Sequence, residues 1–370
     1  MTELTAPLPT YQEQREPAPP TPLRPSWTSF LSIAIMIATG IGFGFAMNKG
    51  QVHLPSVIQG QMSFERFTMM KMFVAALGTS VASKAFFRAI NPAAFEGIQN
   101  QRASDPSHAA VLAAGGLILG GGMMLSGSCP GSVYVQLGAG IPSAIPVFCG
   151  ALTGTFVFGL LKPLILKWQD GKFKITTSFS ISPWSQGGFG FLLLGTASAL
   201  EVFVPESNYA PSFGSVWLPS VAGVVVGAMQ LPLVFLLRRS LGATASYKII
   251  VGAAVESIRR LFGASINWIH VPFLTDLSAL VFVVGVIAGS VLAGAPSPAS
   301  LGVGPSTPVA FVGGGLLGFG ATVASGCTSG HGLSGVALLM KSSLIVLPCI
   351  FAGAMGMSFL THHLKAIDLN

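Results

Sequence analysis

Two short loops, each built around one cysteine, carry the residue types most able to do chemistry. The first reads Ser126-Gly127-Ser128-Cys129-Pro130-Gly131, and the second reads Ser325-Gly326-Cys327-Thr328-Ser329-Gly330-His331-Gly332. Each loop follows a long apolar stretch and precedes a short predicted helix. The start of a helix presents unpaired N–H groups and a partial positive charge, which together suit an anion. The pattern therefore predicts an anion path, with no metal site and no cofactor.

The side chains of these loops are hydrogen-bond donors of modest strength. Hydroxyl groups add to the backbone donors, and thiols donate weakly, which suits a conduction site that must also release its ion. Neither loop core contains Arg or Lys, and full desolvation of an uncompensated anion costs on the order of tens of kcal/mol. The ion is therefore expected either to travel with water or to be large and soft, like a sulfur-rich anion. The candidate path residues are Cys129, Cys327, Ser126, Gly127, Ser128, Gly131, Gly326, Thr328, Ser329, Gly330 and His331.

Several polar or reactive residues have simpler interpretations. His331 follows Cys327 by four residues and so can share its helix face, but packing or capping is the commoner role. Cys149 and Cys349 lie inside apolar stretches, where a cysteine usually packs as a small apolar residue. Gln230 and Glu201 are isolated polar residues in apolar stretches, which makes them functional candidates in a membrane, although Glu201 lies near a predicted span end.

The composition identifies an integral membrane protein. Of 370 residues, 51% are hydrophobic and 8% are charged, against about 25% charged in soluble domains, and the mean hydropathy is +0.70. The net charge of +7 is small and fits loops beside anionic lipid, so a nucleic-acid partner is not expected. Four cysteines are too few for a disulfide framework in a chain of this length.

Apolar stretches of membrane-spanning length recur along the chain. Residues 1–25 contain seven prolines and predict a disordered tail. We expect no signal peptide, because the first apolar run is long enough to span and has no cleavage site. Nine spans are predicted, at 27–47, 71–90, 109–126, 142–161, 187–204, 215–237, 276–294, 308–326 and 343–361.

The basic residues indicate the orientation. With a cytoplasmic amino terminus, fifteen of the nineteen Lys and Arg fall in cytoplasmic segments and four fall outside. The predicted outer loops 205–214 and 295–307 contain no basic residue. Cytoplasmic loops of membrane proteins carry this excess, so the amino terminus is predicted inside and the carboxyl terminus outside. The lack of a targeting segment favours a bacterial inner membrane.

An internal repeat relates the two cysteine loops. Residues 115–129 (GGLILGGGMMLSGSC) match residues 313–327 (GGGLLGFGATVASGC) at an offset of 198, and a second cysteine follows in each copy. We expect a tail at 1–25, a first half at 26–186, one linking span at 187–204, and an inverted second half at 205–370. Segments 48–68, 127–141, 240–262 and 327–341 are predicted to be re-entrant, since such backbone at membrane depth borders substrate paths. The predicted fold class is thus all-α, with short re-entrant helices meeting near the midplane.

These residues resemble those of the YeeE/YedE family of sulfur-transport membrane proteins. The resemblance rests on GFGATVASGCTSGHGLSG (318–335), GGGMMLSGSCPG (120–131), GIGFGFAMNKGQV (40–52) and SLGATASY (240–247), and extends over nearly all of the chain after residue 25. It implies an hourglass-like helical protein that imports thiosulfate past cysteine thiols by S–H to sulfur hydrogen bonds, without covalent chemistry. By motif, Cys129 would be the thiol of the first half and Cys327 that of the second.

The sequence departs from this family at one position. Well-known members also have a cysteine in the first re-entrant segment, whereas no cysteine precedes Cys129 here, and the stretch reads Phe45-Ala46-Met47-Asn48-Lys49-Gly50-Gln51. A relay of three thiols is therefore in question, and Asn48, Lys49 and Gln51 are candidates for polar contacts instead. Many relatives work beside a separate TusA-type sulfur carrier, which is the expected protein partner.

The expected function is import of thiosulfate or a related inorganic sulfur anion, and not enzyme catalysis. One alternative is a membrane sulfurtransferase or thiol-redox protein, which needs a thiolate and an activating base. His331 is the only base near either cysteine in sequence. The other alternative is a non-transporting scaffold that binds soluble sulfur enzymes through its basic loops.

Overall fold

A computed structural model describes residues 29–103, 107–168, 174–175, 178–205, 216–240, 242–262, 276–296 and 304–368. The predicted tail at 1–25 lies outside the described residues, as does nearly all of the predicted outer loop 205–214.

The described residues are almost entirely helical. The first half contains α1 (Phe30–Lys49), α2 (Pro55–Met62), α3 (Thr68–Ile90), α4 (Pro92–Ala103), α5 (Ala109–Ser126), α6 (Ser132–Ala139) and α7 (Ala144–Trp168). Next come α8 (Pro183–Phe203), α9 (Pro219–Ala228), α10 (Gln230–Phe235), α11 (Thr244–Phe262), α12 (Ser278–Ala293) and α13 (Thr307–Val323). A π-helical segment, π1 (Ser329–Val336), and the last helix, α14 (Lys341–Asp368), complete the order.

One small sheet accompanies these helices. Strands β1 (Ser107–His108) and β2 (Lys174–Ile175) pair antiparallel, with Ser107 opposite Ile175. The pairing lies between α4 and α5 on one side and after α7 on the other, so it joins the loops at one end of the helices. Among the described residues, the prediction of a helical fold is therefore confirmed apart from these two short strands and an isolated bridge between Ser178 and Met340.

A helix lies at each of the nine predicted spans. Within the part of the chain that the structure describes, five helices are long and apolar enough to cross a membrane: α1, α3, α5, α7 up to Ile165, and α14 up to His363. Apolar helices of 10 to 17 residues cover Pro219–Phe235, Ser278–Ala293 and Thr307–Val323. The predicted span 215–237 is divided at Met229 into α9 and α10. Pro232 lies in the first turn of α10, where a missing N–H costs little.

Helices α5 and α13, which carry the repeat, pack antiparallel and without intervening side chains. A methyl group added at Gly122 would lie 2.4 Å from the Leu317 nitrogen, and one at Gly320 would lie 2.3 Å from the Leu119 nitrogen. Gly122 and Gly320 are equivalent in the repeat, as are Leu119 and Leu317. Each contact is thus matched by its equivalent, which is the relation that a two-fold axis between two copies produces.

The same reciprocity extends to the neighbouring helices. Gly44 of α1 approaches the Val286 carbonyl of α12, and Gly227 of α9 approaches the Ala76 carbonyl of α3. Gly40 and Gly223, one turn earlier, approach the carbonyls of Phe282 and Met72. Close approach of this kind requires glycine and is the common way that helices pack in membranes. The helix pairs α1–α12 and α3–α9 are therefore both packed through glycines spaced four residues apart.

Short helices occupy the segments predicted to be re-entrant. Segment 48–68 contains α2, segment 127–141 contains α6, and segment 327–341 contains π1. Segment 240–262 instead forms the 19-residue helix α11, whose first turns are buried and whose last turns bear Arg259 and Arg260. The first three segments thus bring chain reversals into the interior, next to the cysteine loops.

Candidate functional site

The two cysteine loops meet at the centre of the helices. A methyl group on Gly131 of the first loop would lie 3.9 Å from the Oγ of Ser329 in the second loop. Thr328 Oγ1 also lies 3.3 Å from the Sδ of Met123, which is on the helix that leads into the first loop. The juxtaposition expected from the repeat is therefore observed for Gly131, Thr328 and Ser329.

Both loops border one internal cavity. The cavity volume, counted as the space open to the centres of water-sized spheres, is about 60 Å³. This is room for more than one water molecule. Its wall is almost entirely apolar, and the two loops contribute Cys129, Gly131, Thr328 and Ser329 to it. Three methionines contribute to the apolar part, and thioethers are soft and polarizable. The apolar lining residues are Phe43, Met47, Val52, Ile58, Met69, Met72, Phe73, Ala76, Val226 and Leu333.

The first loop holds its thiol at the start of α6. Cys129 is half-buried, and the Ser132 N–H donates to its Sγ at 3.2 Å. In return the Cys129 N–H donates to Ser132 Oγ at 2.7 Å. The free N–H groups expected at this helix start are thus partly directed at the sulfur, which favours partial negative charge there.

Gln136 joins the backbone behind the first loop. Its Nε2 donates to the carbonyls of His53 (2.7 Å) and Gly127 (2.9 Å), and its Oε1 accepts from Ser128 Oγ at 2.6 Å. Gln136 is fully buried. Gly127 has a φ of +58°, the left-handed region that favours glycine. Ser128 therefore supports the loop, and its hydroxyl is directed away from the cavity.

Two tyrosines support the first loop from the other side. Tyr247 of α11 donates to the Pro130 carbonyl at 2.9 Å, and Tyr134 of α6 lies 2.6 Å from Ser246. Tyr247 is 1% exposed. The motif at 240–247 includes Tyr247, but its sequence does not indicate the partner of either tyrosine. The only general signal is that a buried tyrosine hydroxyl usually finds a hydrogen-bond partner.

The second loop buries its thiol more deeply. Cys327 is 1% exposed, and its Sγ lies 3.2 Å from Ser329 Oγ. Ser329 itself borders the cavity. Ser325, just before the loop, has a φ of +57°, a strained conformation for a residue with a side chain. The hydroxyl of Ser329 thus connects the cavity to the Cys327 thiol.

Both ring nitrogens of His331 form hydrogen bonds with residues that flank its loop. Its Nε2 lies 2.9 Å from the Ala324 carbonyl, so this nitrogen carries the proton and donates. Its Nδ1 then accepts from Ser343 Oγ at 3.1 Å. The ring lies against Gly326, where a methyl group would come 2.7 Å from Nε2. Both ring nitrogens are therefore engaged away from the Cys327 thiol.

A cation missed by sequence analysis lies beside the second loop. Arg102 of α4 donates from Nη2 to the Gly330 carbonyl and from Nη1 to Ser240 Oγ at 3.1 Å. The loops contain no Arg or Lys of their own, but the fold supplies one from a distant helix. No signal in the sequence pairs Arg102 with Cys327.

A buried polar network lies on the far side of π1. Lys84 Nζ donates to Gln230 Oε1 at 2.6 Å and to the Leu333 carbonyl at 3.1 Å. Gln230 Nε2 donates to Ser80 Oγ at 2.7 Å, and Ser334 Oγ donates to Gln230 Oε1 at 3.2 Å. Gln230, a functional candidate by sequence, thus connects α3 to π1. Glu201, the other candidate, lies 3.6 Å from Lys71 and accepts from the Ser220 N–H at the start of α9.

Contacts with α12 hold the stretch that ends α1 and leads into α2. Asn48 Nδ2 donates to the carbonyls of Ser290 and Gly294, both at 3.1 Å, and Lys49 Nζ lies 5.6 Å from the Phe45 ring centroid. Gln51 has a φ of +55° and turns the chain into α2. Met47 of this stretch borders the cavity. A thioether, not a polar side chain, therefore faces the cavity at this place.

The other two cysteines lie apart from the loops. Cys149 is exposed on α7, and Cys349 is half-buried on α14. A methyl group on Gly116 would lie 3.0 Å from the Cys349 Cβ. Cys349 thus packs where α5 and α14 approach closely, as expected for a small packing residue.

Comparison with known proteins agrees with this arrangement. The chain is 24% identical over 334 residues to the thiosulfate transporter TsuA of Spirochaeta thermophila, and the match covers 86% of this chain and 93% of that protein. The profile of the sulphur transport family matches residues 49–356, which include both cysteine loops and all the residues of the cavity wall except Phe43 and Met47. The chain belongs to the sulphur transport family.

Proposed function

We propose that this protein imports thiosulfate or a closely related inorganic sulfur anion, which passes Cys129 and then Cys327. The observation that carries this proposal is that the cysteine loops of the two halves border one central cavity, with Cys129 and Ser329 in its wall. The match to a thiosulfate transporter supports the substrate class. Ser329 leads on from the cavity to the buried Cys327 thiol, which supports the order of the two cysteines.

The chemistry of the cavity suits a soft anion. Thiosulfate has a polarizable terminal sulfur that can accept from a thiol, and its hydration must be partly replaced on entry. Thr328 and Ser329 line the cavity together with Cys129, and Met47, Met69 and Met72 supply a polarizable lining. Weak donors permit release. The anion therefore passes without a covalent bond to either cysteine.

The proposed architecture has nine spans and two halves of inverted topology, with the amino terminus in the cytoplasm of a bacterial inner membrane. The antiparallel packing of α5 and α13 and the reciprocal glycine contacts support the inversion. The excess of Lys and Arg in segments on one side supports the orientation. The cavity is lined by the last turns of α1, by α2 and by the first turns of α3. These parts of the helices are the ones predicted to lie towards the outer face, which supports entry of the anion from outside.

On the cytoplasmic side we propose that a separate sulfur-carrier protein of the TusA type receives the anion. The basic residues near this side include Arg238, Arg239, Arg259 and Arg260, which supply positive charge for electrostatic steering of a partner. Arg239 is paired with Asp276, and Arg259 and Arg260 are paired with Glu256, so this charge is partly balanced. Purified carrier binding to membrane vesicles in which the cytoplasmic face points outward would support this partner. Equal binding to vesicles of the opposite orientation would refute it.

Uptake by cysteine variants tests the path. Labelled thiosulfate is supplied to bacterial cells that lack their own importers and that express the unaltered protein, Cys129→Ala or Cys327→Ala at matched membrane levels. Cys149→Ala and Cys349→Ala serve as controls, since these cysteines lie away from the cavity. Loss of uptake in the first two variants alone is expected. Retained uptake in both would refute the thiol path, and no uptake by the unaltered protein would refute the substrate.

Intact mass distinguishes passage from catalysis. The purified protein is expected to keep its mass after exposure to thiosulfate, because His331 is engaged with Ala324 and Ser343 and does not activate Cys327 as a nucleophile. A gain of one sulfur atom, removable by a thiol reductant and absent from the Cys129→Ala or Cys327→Ala variant, would instead favour a sulfurtransferase.

A further inference from the structure

Arg102 brings a positive charge to the Cys327 loop from a helix 228 residues before Gly330. It donates to the Gly330 carbonyl and to Ser240 Oγ, and both acceptors are neutral. Among the residues that the structure describes, no Asp or Glu forms a salt bridge with it. A guanidinium stays charged in proteins and has five N–H donors. Arg102 therefore has donors and charge available for an anion.

Gly330 brings this guanidinium and the thiol close together. A methyl group on Gly330 would lie 3.4 Å from Arg102 Nη2 and 3.6 Å from Cys327 Sγ. Both groups therefore lie against the same position beside the Gly330 Cα, where a side chain would contact both of them. The preceding residue, Ser329, borders the cavity and contacts the Cys327 sulfur. Ser329 thus lies between the cavity and this pair of groups.

We propose that Arg102, Gly330 and Cys327 form an anion subsite, in which the guanidinium binds the oxygen-bearing end of a sulfur oxyanion while the thiol meets its terminal sulfur. This inference rests on the proposed transport of such an anion. A guanidinium fork matches two oxygens of a tetrahedral oxyanion, and charge-assisted hydrogen bonds of this kind are the strong ones. The subsite supplies the cationic compensation that neither loop contains, and it does so at the more deeply buried of the two cysteines.

The subsite explains how a path of weak donors can bind a dianion despite the cost of removing its hydration. Thiols and hydroxyls alone do not offset the desolvation of a charged group. One guanidinium offsets part of that cost, while its remaining bonds to Gly330 and Ser240 hold it in place. Because Arg102 lies at the end of α4 and Ser240 follows α10, the subsite faces the basic segments and not the methionine-lined cavity. Arg102 thus selects anions by charge at the step after the cavity.

Three variants test this subsite. Arg102→Gln removes the charge, Arg102→Lys keeps the charge but loses the fork, and Gly330→Ala places a methyl group in ordinary van der Waals contact with both the guanidinium and the thiol. Arg88→Gln is the matched control, because Arg88 donates to the Ile181 carbonyl and lies against Phe95, away from both cysteines. Gly188→Ala controls for the added methyl group, since nothing lies within 4 Å of it.

The readouts are the KM and maximal rate of thiosulfate uptake, and the Kd of thiosulfate for the purified protein in detergent by calorimetric titration. We expect Arg102→Gln and Gly330→Ala to raise KM and Kd by at least about tenfold, since hydrogen bonds to charged groups have that strength. Arg102→Lys is expected to fall between Arg102→Gln and the unaltered protein. Both controls are expected to keep the unaltered values. A merely structural role for Arg102 would lower the amount of folded protein and leave KM unchanged.

The outcomes separate this inference from the proposed function. Uptake by the unaltered protein together with unchanged KM and Kd in Arg102→Gln would overturn the subsite and leave transport standing. Neither uptake nor binding of thiosulfate by the unaltered protein would overturn both. Should Arg102→Gln fail to fold, Gly330→Ala decides alone: unchanged KM and Kd would overturn the subsite, because this variant keeps Arg102 and its partners.

Discussion

Buried polar side chains give each cysteine loop a defined shape. In the first half Gln136 joins Ser128, His53 and Gly127, and in the second half His331 joins Ala324 to Ser343. An unpaired polar group is costly in a membrane interior, so these contacts are satisfied within the protein. Neither side chain lines the cavity. Their role is to direct the thiols and hydroxyls that do.

Replacing Gln136 by Leu tests the first of these supports. The change keeps the volume but leaves the His53 and Gly127 carbonyls without their donor, so we expect a loss of at least about 2 kcal/mol of stability. The measurement is denaturant unfolding of the purified protein in detergent. Gln59→Leu is the comparison, because Gln59 donates to the Met124 carbonyl alone. A smaller loss for Gln136→Leu than for Gln59→Leu would contradict this assignment.

A double-mutant cycle tests the hydrogen bond between His331 and Ser343. If Nδ1 accepts from Ser343, the variants His331→Phe, Ser343→Ala and the double variant should show a coupling of about 1 kcal/mol in unfolding. The Ala324 carbonyl loses its donor in both variants that lack His331, so that cost cancels in the cycle. A coupling near zero would show that the hydrogen bond to Ser343 contributes nothing to stability.

At the scale of elements, glycine-lined helix pairs position both loops. Helices α5 and α13 end at Ser126 and Val323, immediately before the two loops, and they contact each other through equivalent glycines. A shift of either helix along its axis would therefore move a cysteine loop. Close backbone approach replaces the hydrophobic effect as the source of packing in lipid. The glycine excess noted in the composition thus serves the geometry of the site.

Equivalent glycines are expected to respond equally to substitution. Gly122→Ala and Gly320→Ala each place a methyl group about 2.4 Å or less from a backbone nitrogen of the partner helix, and overpacking costs about 1 to 3 kcal/mol. Gly356→Ala, with open space around it, should be neutral or stabilising by up to about 1 kcal/mol through helix propensity. The measurement is apparent Tm in detergent. A stable Gly122→Ala beside an unstable Gly320→Ala would contradict the reciprocal packing.

At the scale of the whole molecule, function depends on how the two halves cross the membrane. In the proposed architecture, nine spans place the termini on opposite sides, and the inverted halves direct the cavity to one face and the Arg102 side to the other. The basic segments around Arg238 and Arg259 mark the predicted cytoplasmic face. Import is the direction expected from this proposed orientation, because the anion would then meet the cavity first.

Reporter fusions at the two ends test the span count and the orientation together. A reporter active only in the cytoplasm should be active at the amino terminus, and one active only outside should be active at the carboxyl terminus. The reason is that an odd number of spans separates the ends. Exchanging the two reporters provides the control. Activity of one reporter at both ends would refute nine spans, and activity only after exchange would reverse the orientation.

Local composition accounts for what the sequence by itself determined. Hydropathy located a helix at each predicted span, and the repeated glycines and cysteines identified the two loops that meet at Gly131 and Ser329. Span hydropathy and the glycine–cysteine motif each depend on residues that are close together in the sequence. A window of about twenty residues is therefore enough to detect either of them. The sequence also showed the missing first cysteine and the packing role of Cys349.

Only the tertiary structure decided which distant side chains complete the site. Arg102 beside Cys327, Tyr247 beneath Pro130, and Met47 in the cavity wall are contacts between elements far apart in the chain. Likewise, Asn48, a candidate for contacting the anion, donates instead to α12. Hydropathy distinguishes buried from lipid-facing positions but does not specify partners, which depend on helix packing. For that reason the sequence predicted a path of weak donors, and the fold added the cation.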